Sequence, residues 1–156
     1  MSWRRLNGTK ISEPVVEEVE RTILEETENG YKLKICIGTD SQVFKDMVEF
    51  ATVIVFLREK RGGFMFIENS SLKQKPSLKE RMIMEVARSV DIAYQLCHVL
   101  EKHNVALEVH ADINTDSEFK SNVALKEAMG YIKGMGFIFK AKPYAFASST
   151  VADKFV

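Results

Sequence analysis

The sequence has no long apolar run. No segment approaches the roughly 20 consecutive apolar residues of a helical membrane span. The N-terminus lacks the layout of a signal peptide. There are only two cysteines, Cys36 and Cys97. They have no CxxC spacing and sit inside apolar segments. That excludes a disulfide framework and a thiolate zinc site, and predicts reduced core thiols in a cytoplasmic protein. Also missing are a Gly-rich phosphate loop, a Ser-His-Asp signature, an internal repeat, a low-complexity segment and a linker. Lys plus Arg and Asp plus Glu both number 22, so formal net charge is zero. A chain that binds polyanions by bulk charge alone is thereby excluded. What remains is 156 residues at 46% apolar content. That is one domain, 1–156, able to bury a real core, with 1–30 as an N-terminal helical extension.

Charge is uneven along the chain. Residues 11–29 carry seven Glu against one Arg, and residues 120–156 carry six Lys against one Glu and one Asp. The second segment is either a local basic surface or a set of scattered, solvated lysines.

Ser12, Glu13 and Pro14 read as the start of a first helix, with an apolar stripe at Val15, Val16, Val19 and Ile23 and a stop at Asn29-Gly30. Leu33–Val43, Val48–Phe56 and Phe64–Ile67 read as three strands on short connections, hence an antiparallel meander. Ser77 and Glu80, after Pro76, form a capping box for a helix running to about His103. A fourth strand covers Val105–Asp112. A helix capped at Ser121-Asn122 ends at Gly134 or Gly136, and a fifth strand covers Phe137–Ala141. Ser148 or Ser149 is placed to cap a terminal turn. Helical crossovers make the first, fourth and fifth strands parallel. The expected α/β fold is a five-stranded mixed sheet in order 3-2-1-4-5 with flanking helices.

Three carboxylates stand out. Asp40 in Ile37-Gly38-Thr39-Asp40-Ser41 and Asp112 in Val109-His110-Ala111-Asp112-Ile113 sit where apolar strands run out. Asp153 lies in the last turn. Glu85 is the anomaly of the long helix, projecting between Ile92 and Leu96 on the shoulder of the apolar stripe. An ionised carboxylate there costs several kcal/mol unless paired or bound to metal. The plain alternative is an ion pair with Arg81 or Arg88. Glu80 points away and is explained by capping. In the expected topology Asp40 and Asp112 lie on neighbouring strands, with Glu85 aimed between them. Hard oxygen ligands converging in this way suit Mg²⁺ or Mn²⁺. Two such ions about 4 Å apart activate water and stabilise the leaving oxygen in phosphodiester cleavage.

Ser41, Gln42, His110 and Lys142 are candidate substrate contacts. His110 shares a strand face with Asp112, and Lys142 is placed to meet a phosphate. The bland readings are a hydrogen-bonded core histidine and a solvated lysine.

These blocks resemble the ribonuclease H superfamily, and most closely its YkuK-type ribonuclease H-like family. The resemblance runs from about Ile35 to Phe155. It is carried by Ile37–Gln42, by Ser77–Arg81 with Glu85, by His110–Asn114, by Gly130–Phe137, by Lys142-Pro143 and by Ala147–Lys154. It implies a ribonuclease H-like fold and a nuclease-like metal site. The family's ligands are an Asp on the first strand, a Glu on the first long helix, an Asp ending the fourth strand and a late Asp. Those roles fall on Asp40, Glu85 (with Glu80 as the alternative), Asp112 and Asp153. The chain departs from cellular ribonucleases H in three places. Only three residues follow Asp153, so the last helix is a stub. Tyr144 and Phe146 occupy the stretch of the mobile His-containing loop. No basic protrusion for gripping a hybrid duplex is evident.

The leading expectation is a divalent-metal-dependent nuclease acting on RNA, DNA or a hybrid. The alternative is a non-catalytic nucleic-acid or protein binding module on the same scaffold, which the neutral net charge favours. A third reading is a metal-dependent activity on a phosphorylated small molecule.

Overall fold

Strand β1 is Trp3–Arg5, β2 Lys10–Ile11, β3 Leu33–Phe44, β4 Met47–Arg58, β5 Gly63–Leu72, β6 Ala106–His110 and β7 Ile138–Lys140. Helix α1 is Val15–Glu28, α2 Leu78–Lys102 and α3 Val123–Gly134. A π-helical turn, Ala147–Val151, and a 3-10 turn, Ala152–Phe155, close the chain. The computed structural model describes residues 2–111, 123–140 and 144–156.

The described strands form one mixed sheet in order β2-β1-β5-β4-β3-β6-β7. The five expected strands keep their expected order, and β6 pairs parallel with both β3 and β7. The expected count of five is corrected to seven by β1 and β2, which add to the β5 edge. At three and two residues these strands are too short to show a period-two pattern. Residues 1–30 are correspondingly more than a helical extension. Trp3 is buried at the sheet edge, and Val19 and Ile23 of α1 enter the main core.

Helix α1 starts later than expected. Ser12 makes no cap; Pro14 takes the N-cap position and its carbonyl accepts from Glu18 N at 3.0 Å. A proline pushes its preceding residue towards extended backbone, so the helix begins after Pro14. Asn29-Gly30 ends it as the sequence suggests, with Gly30 at φ 84 in the left-handed region.

β3 and β4, twelve residues each, are the spine. Side chains alternate across the sheet. Ile35, Ile37, Ile54 and Phe56 face the helices, joining Val90, Leu96 and Leu100 of α2 in the large core. Cys36, Val53, Val55 and Ile67 face the other way, against Ala147 and Ala152 of the terminal turns. That second layer is thin, and it leaves the sheet surface beyond Asp40 open: Gln42 and Phe44 are exposed.

Helix α2 runs antiparallel to β3. Ser41 bonds Glu85, and two residues back along the strand Thr39 bonds Ser89, one turn further along the helix. At about 1.5 Å per helical residue and 3.3 Å per strand residue, the first turn of α2 reaches the tip of the β3–β4 hairpin. This is why Leu78, at the start of α2, is 62% exposed.

Candidate functional site

Ser41 joins two carboxylates at the end of the helix-covered region. Its backbone N–H donates to Asp40 Oδ1 at 2.9 Å, and its hydroxyl donates to Glu85 Oε2 at 2.9 Å. Asp40 and Ser41 occupy opposite faces of β3, so the strand presents one carboxylate and reaches the other through its neighbour. Glu85 is buried and Asp40 half-buried. Both hydrogen bonds come from neutral donors. Such donors orient a carboxylate without cancelling its charge. Glu80 stands apart: exposed, it accepts from the Ser77 hydroxyl at 2.9 Å, while its own N–H donates to Ser77 Oγ at 3.1 Å. The Ser77 half of the expected capping box is thus formed, while the Glu80 carboxylate meets the Ser77 hydroxyl in place of its backbone N–H.

The terminal turns lie on the other face. Gly38 makes their approach possible: a Cβ there would stand 2.4 Å from Ala147 C and Ser148 N. Ala147 N donates to His110 Nδ1 at 3.1 Å, and Asn69 Nδ2 donates to the Phe155 carbonyl at 2.8 Å. Both ends of the segment are therefore tied to the sheet, with exposed Asp153 between them. The Ser148 hydroxyl does not cap the turn. It bonds back to the Ala145 carbonyl at 3.1 Å, the competing local bond that serine often makes. The side chain of Ser149 lies outside the described residues.

His110 is fully enclosed, with no surface left for substrate. Since Nδ1 accepts the Ala147 N–H, the ring proton sits on Nε2 and is donated to Glu108 Oε1 at 2.9 Å. The His110 ring also packs edge-on to Phe146 at 4.7 Å. Burial holds its basicity down, against the pull of Glu108. Lys34 and Lys140 bind the same Glu108 carboxylate at 3.0 and 3.3 Å. Burial pushes the Glu108 carboxyl up, but the bonds from His110, Lys34 and Lys140 prevail and bring it to about 2. Cys36 lies beside it, its thiol pushed up to about 12 by burial, with the Glu108 charge adding to the effect.

Cys36, Glu108 and His110 bring one ligand atom each within 4.8 Å of one another, close enough to share an ion. Their present state opposes it. Two ammonium groups sit on the carboxylate, the imidazole nitrogen facing it is protonated, and the thiol holds its proton. A sulfur and a nitrogen donor also suit a softer ion than Mg²⁺ or Mn²⁺.

A family model described as ribonuclease H-like matches residues 14–156. The chain belongs to the ribonuclease H-like family. It is 27% identical to the uncharacterized protein YkuK of Bacillus subtilis (strain 168), over 90% of this chain and 88% of that protein. Among solved structures it is similar to RNase H1 from the halophilic archaeon Halobacterium salinarum NRC-1. The identity is 10% and the TM-score 0.44, over 78% of this chain and 96% of the other.

Of the ribonuclease H-like positions read from the sequence, Asp40, Ser41 and Glu85 come together through the two hydrogen bonds of Ser41. The Ser41 hydroxyl is committed to Glu85, whereas Gln42 is exposed two residues beyond Asp40 on the same face. Asp112 and Lys142 lie outside the described residues. Ala111, just before Asp112, is buried and continues the ladder by donating to the Lys140 carbonyl at 2.9 Å. The residue that sequence reasoning passed over is Glu108. Its signal was present: Glu108 and His110 alternate in an otherwise apolar strand, which puts two polar side chains on one buried face. No described helix is long and apolar enough to cross a membrane.

Proposed function

We propose that this chain is a divalent-metal-dependent phosphodiesterase acting on nucleic acid, with Asp40, Glu85, Asp112 and Asp153 holding Mg²⁺ or Mn²⁺. The observation that carries this reading is the Ser41 bridge, which directs Asp40 and Glu85 through neutral donors at 2.9 Å each. The donor set is all oxygen, which fits a hard cation. Asp112 follows His110 by the same two positions by which Asp40 follows Gly38, and Gly38 and His110 are register partners. Asp153 belongs to the terminal segment, which packs on the sheet face that Asp40 shares with Cys36 and Gly38 and is tied down by His110 and Asn69. Bound metal supplies an activated water and stabilises the leaving oxygen. The chain's own residues set the geometry. Asp40 sits on the central strand, best placed to bridge. Glu85 is oriented by the Ser41 hydroxyl, and Gln42 presents an exposed amide for a sugar or phosphate. Membership of the ribonuclease H-like family supports nucleic acid as the substrate class.

The test is cleavage of single-stranded, duplex and hybrid oligonucleotides with Mg²⁺ or Mn²⁺. Asp40→Asn keeps shape and removes the bridging ligand, so it abolishes cleavage. Equal activity of wild type and Asp40→Asn identifies a contaminant. No cleavage by wild type on any substrate transfers the reading to a non-catalytic binding module.

A further inference from the structure

The end of the sheet that carries Asp40 holds more than carboxylates. Arg81 lies one helical turn before Glu85, on the same face of α2. Its Nε is buried without a hydrogen-bond partner, the one such side-chain atom among the described residues. A buried, unmatched guanidinium donor is costly, and a bound acceptor removes the cost. Beyond Asp40, β3 continues for four residues to the hairpin tip. Phe44 there is 69% exposed, on the same strand face as Asp40, with Lys45 Nζ 5.6 Å from its ring centroid. The β5–α2 connection borders the tip: Val48 pairs with Leu72, and Lys75 Nζ lies 3.9 Å from Asp46. Lys73, Lys75 and Lys79 are exposed. The hairpin tip and this connection, residues 42–49 and 72–81, hold five basic side chains against Asp46, Glu49 and Glu80.

We propose that Arg81 and Phe44 hold a single nucleic-acid strand that crosses the end of the sheet at the hairpin tip, from the α2 face, where Arg81 lies with Glu85, to the Asp40 face, where Phe44 lies. Arg81 takes a backbone phosphate next to the carboxylates, and Phe44 stacks an unpaired base at the hairpin tip. The proposal rests on the phosphodiesterase reading for its direction, and adds the substrate form. Guanidinium is the natural donor for phosphate, whose oxygens accept its parallel N–H groups. An exposed ring at the end of a strand can stack only on a base free of its own duplex. Asp40 and Phe44, four strand residues apart, are separated by about 13 Å. That is a span of two to three extended nucleotides. The exposed lysines then lie along the strand's path as non-specific phosphate contacts.

The experiment is anisotropy of a labelled single-stranded oligonucleotide with the full chain, without divalent metal. Arg81→Ala is expected to weaken binding about tenfold and to lower the salt dependence by about one phosphate contact. Phe44→Ala is expected to weaken it about tenfold without changing the salt dependence. A duplex of the same sequence is expected to bind less tightly than the single strand and to be insensitive to Phe44→Ala. Should Arg81→Ala not fold, Arg81→Lys keeps the charge and removes the buried Nε donor, and is expected to lose affinity too. Phe44, at an exposed tip, can be truncated without touching the core. Either contact proving dispensable in folded protein, or duplex binding as tightly as single strand, overturns the proposal. So does a wild type that binds no oligonucleotide. Binding that follows these variants, with no cleavage once Mg²⁺ or Mn²⁺ is supplied, supports the track and rejects the phosphodiesterase. Cleavage that ignores both variants does the reverse.

Discussion

Two polar clusters sit on the same sheet a few residues apart, and they treat their carboxylates in opposite ways. Glu108 is met by Lys34, Lys140 and the His110 N–H. Glu85 and Asp40 are met by the hydroxyl and amide of Ser41. The first arrangement neutralises a buried charge and docks a chain segment, since the same imidazole accepts from Ala147 N. The second orients each carboxylate through one residue, Ser41. A carboxylate ringed by fixed cations is already compensated, whereas a hydroxyl or amide donor orients a carboxylate without itself cancelling the charge. On this comparison Glu108 reads as structural and the proposed function falls on Asp40, although the Glu108 cluster has the tighter collection of ligand atoms.

The comparison breaks most visibly at Asp40. Asp40→Asn should lower metal-dependent cleavage at least about a hundredfold, the size of loss seen when a group that manages developing charge is removed. Its thermal unfolding should stay close to that of wild type. Glu108→Gln should do the reverse, costing about 1–3 kcal/mol in urea unfolding by leaving buried donors poorly matched. The pH dependence carries a sign. The Glu108 carboxyl is lowered from its ordinary 4.5 to about 2. Its contribution is therefore complete above about pH 4.5 and is lost as pH falls towards 2. Wild-type stability should drop through that window, and Glu108→Gln should drop less steeply.

Only one side of this contrast is legible in the sequence. Glu85 sits on the shoulder of an apolar stripe and Glu80 has its own explanation in capping, so the sequence favours Glu85 and keeps Glu80 as the alternative. The central strand order follows from short connections and helical crossovers. Other features escaped for physical reasons. Strands β1 and β2 are held by pairing with an existing edge, so their sequences need no alternation of their own. Pro14 overrode Ser12 because its ring restricts the preceding backbone. Glu108 hid inside a strand whose apolar content suggested two dry faces. Its partners Lys34 and Lys140 come from strands on either side and are assembled only by register. The turn between β3 and β4 was expected, but not how far β3 runs beyond its described pairing with β6, which ends at Gly38.

Two smaller effects sharpen the contrast between the faces. Gly38→Ala puts a methyl 2.4 Å from the Ala147 and Ser148 backbone. The terminal segment must shift, at a cost of about 1–3 kcal/mol. Hydrogen exchange should speed up in residues 147–155, while the α2 core stays protected. Asp153→Asn should have the smallest effect, a loss of about tenfold in apparent metal affinity with cleavage recovered at higher Mn²⁺.

The most direct measurement is Mn²⁺ binding, followed by electron paramagnetic resonance or calorimetry, on wild type, Asp40→Asn and Glu108→Gln. The account predicts that wild type and folded Glu108→Gln bind Mn²⁺ alike, and that Asp40→Asn loses most of the binding. Loss in Glu108→Gln with full binding by Asp40→Asn would place the ion on the Cys36–Glu108–His110 cluster and contradict the account.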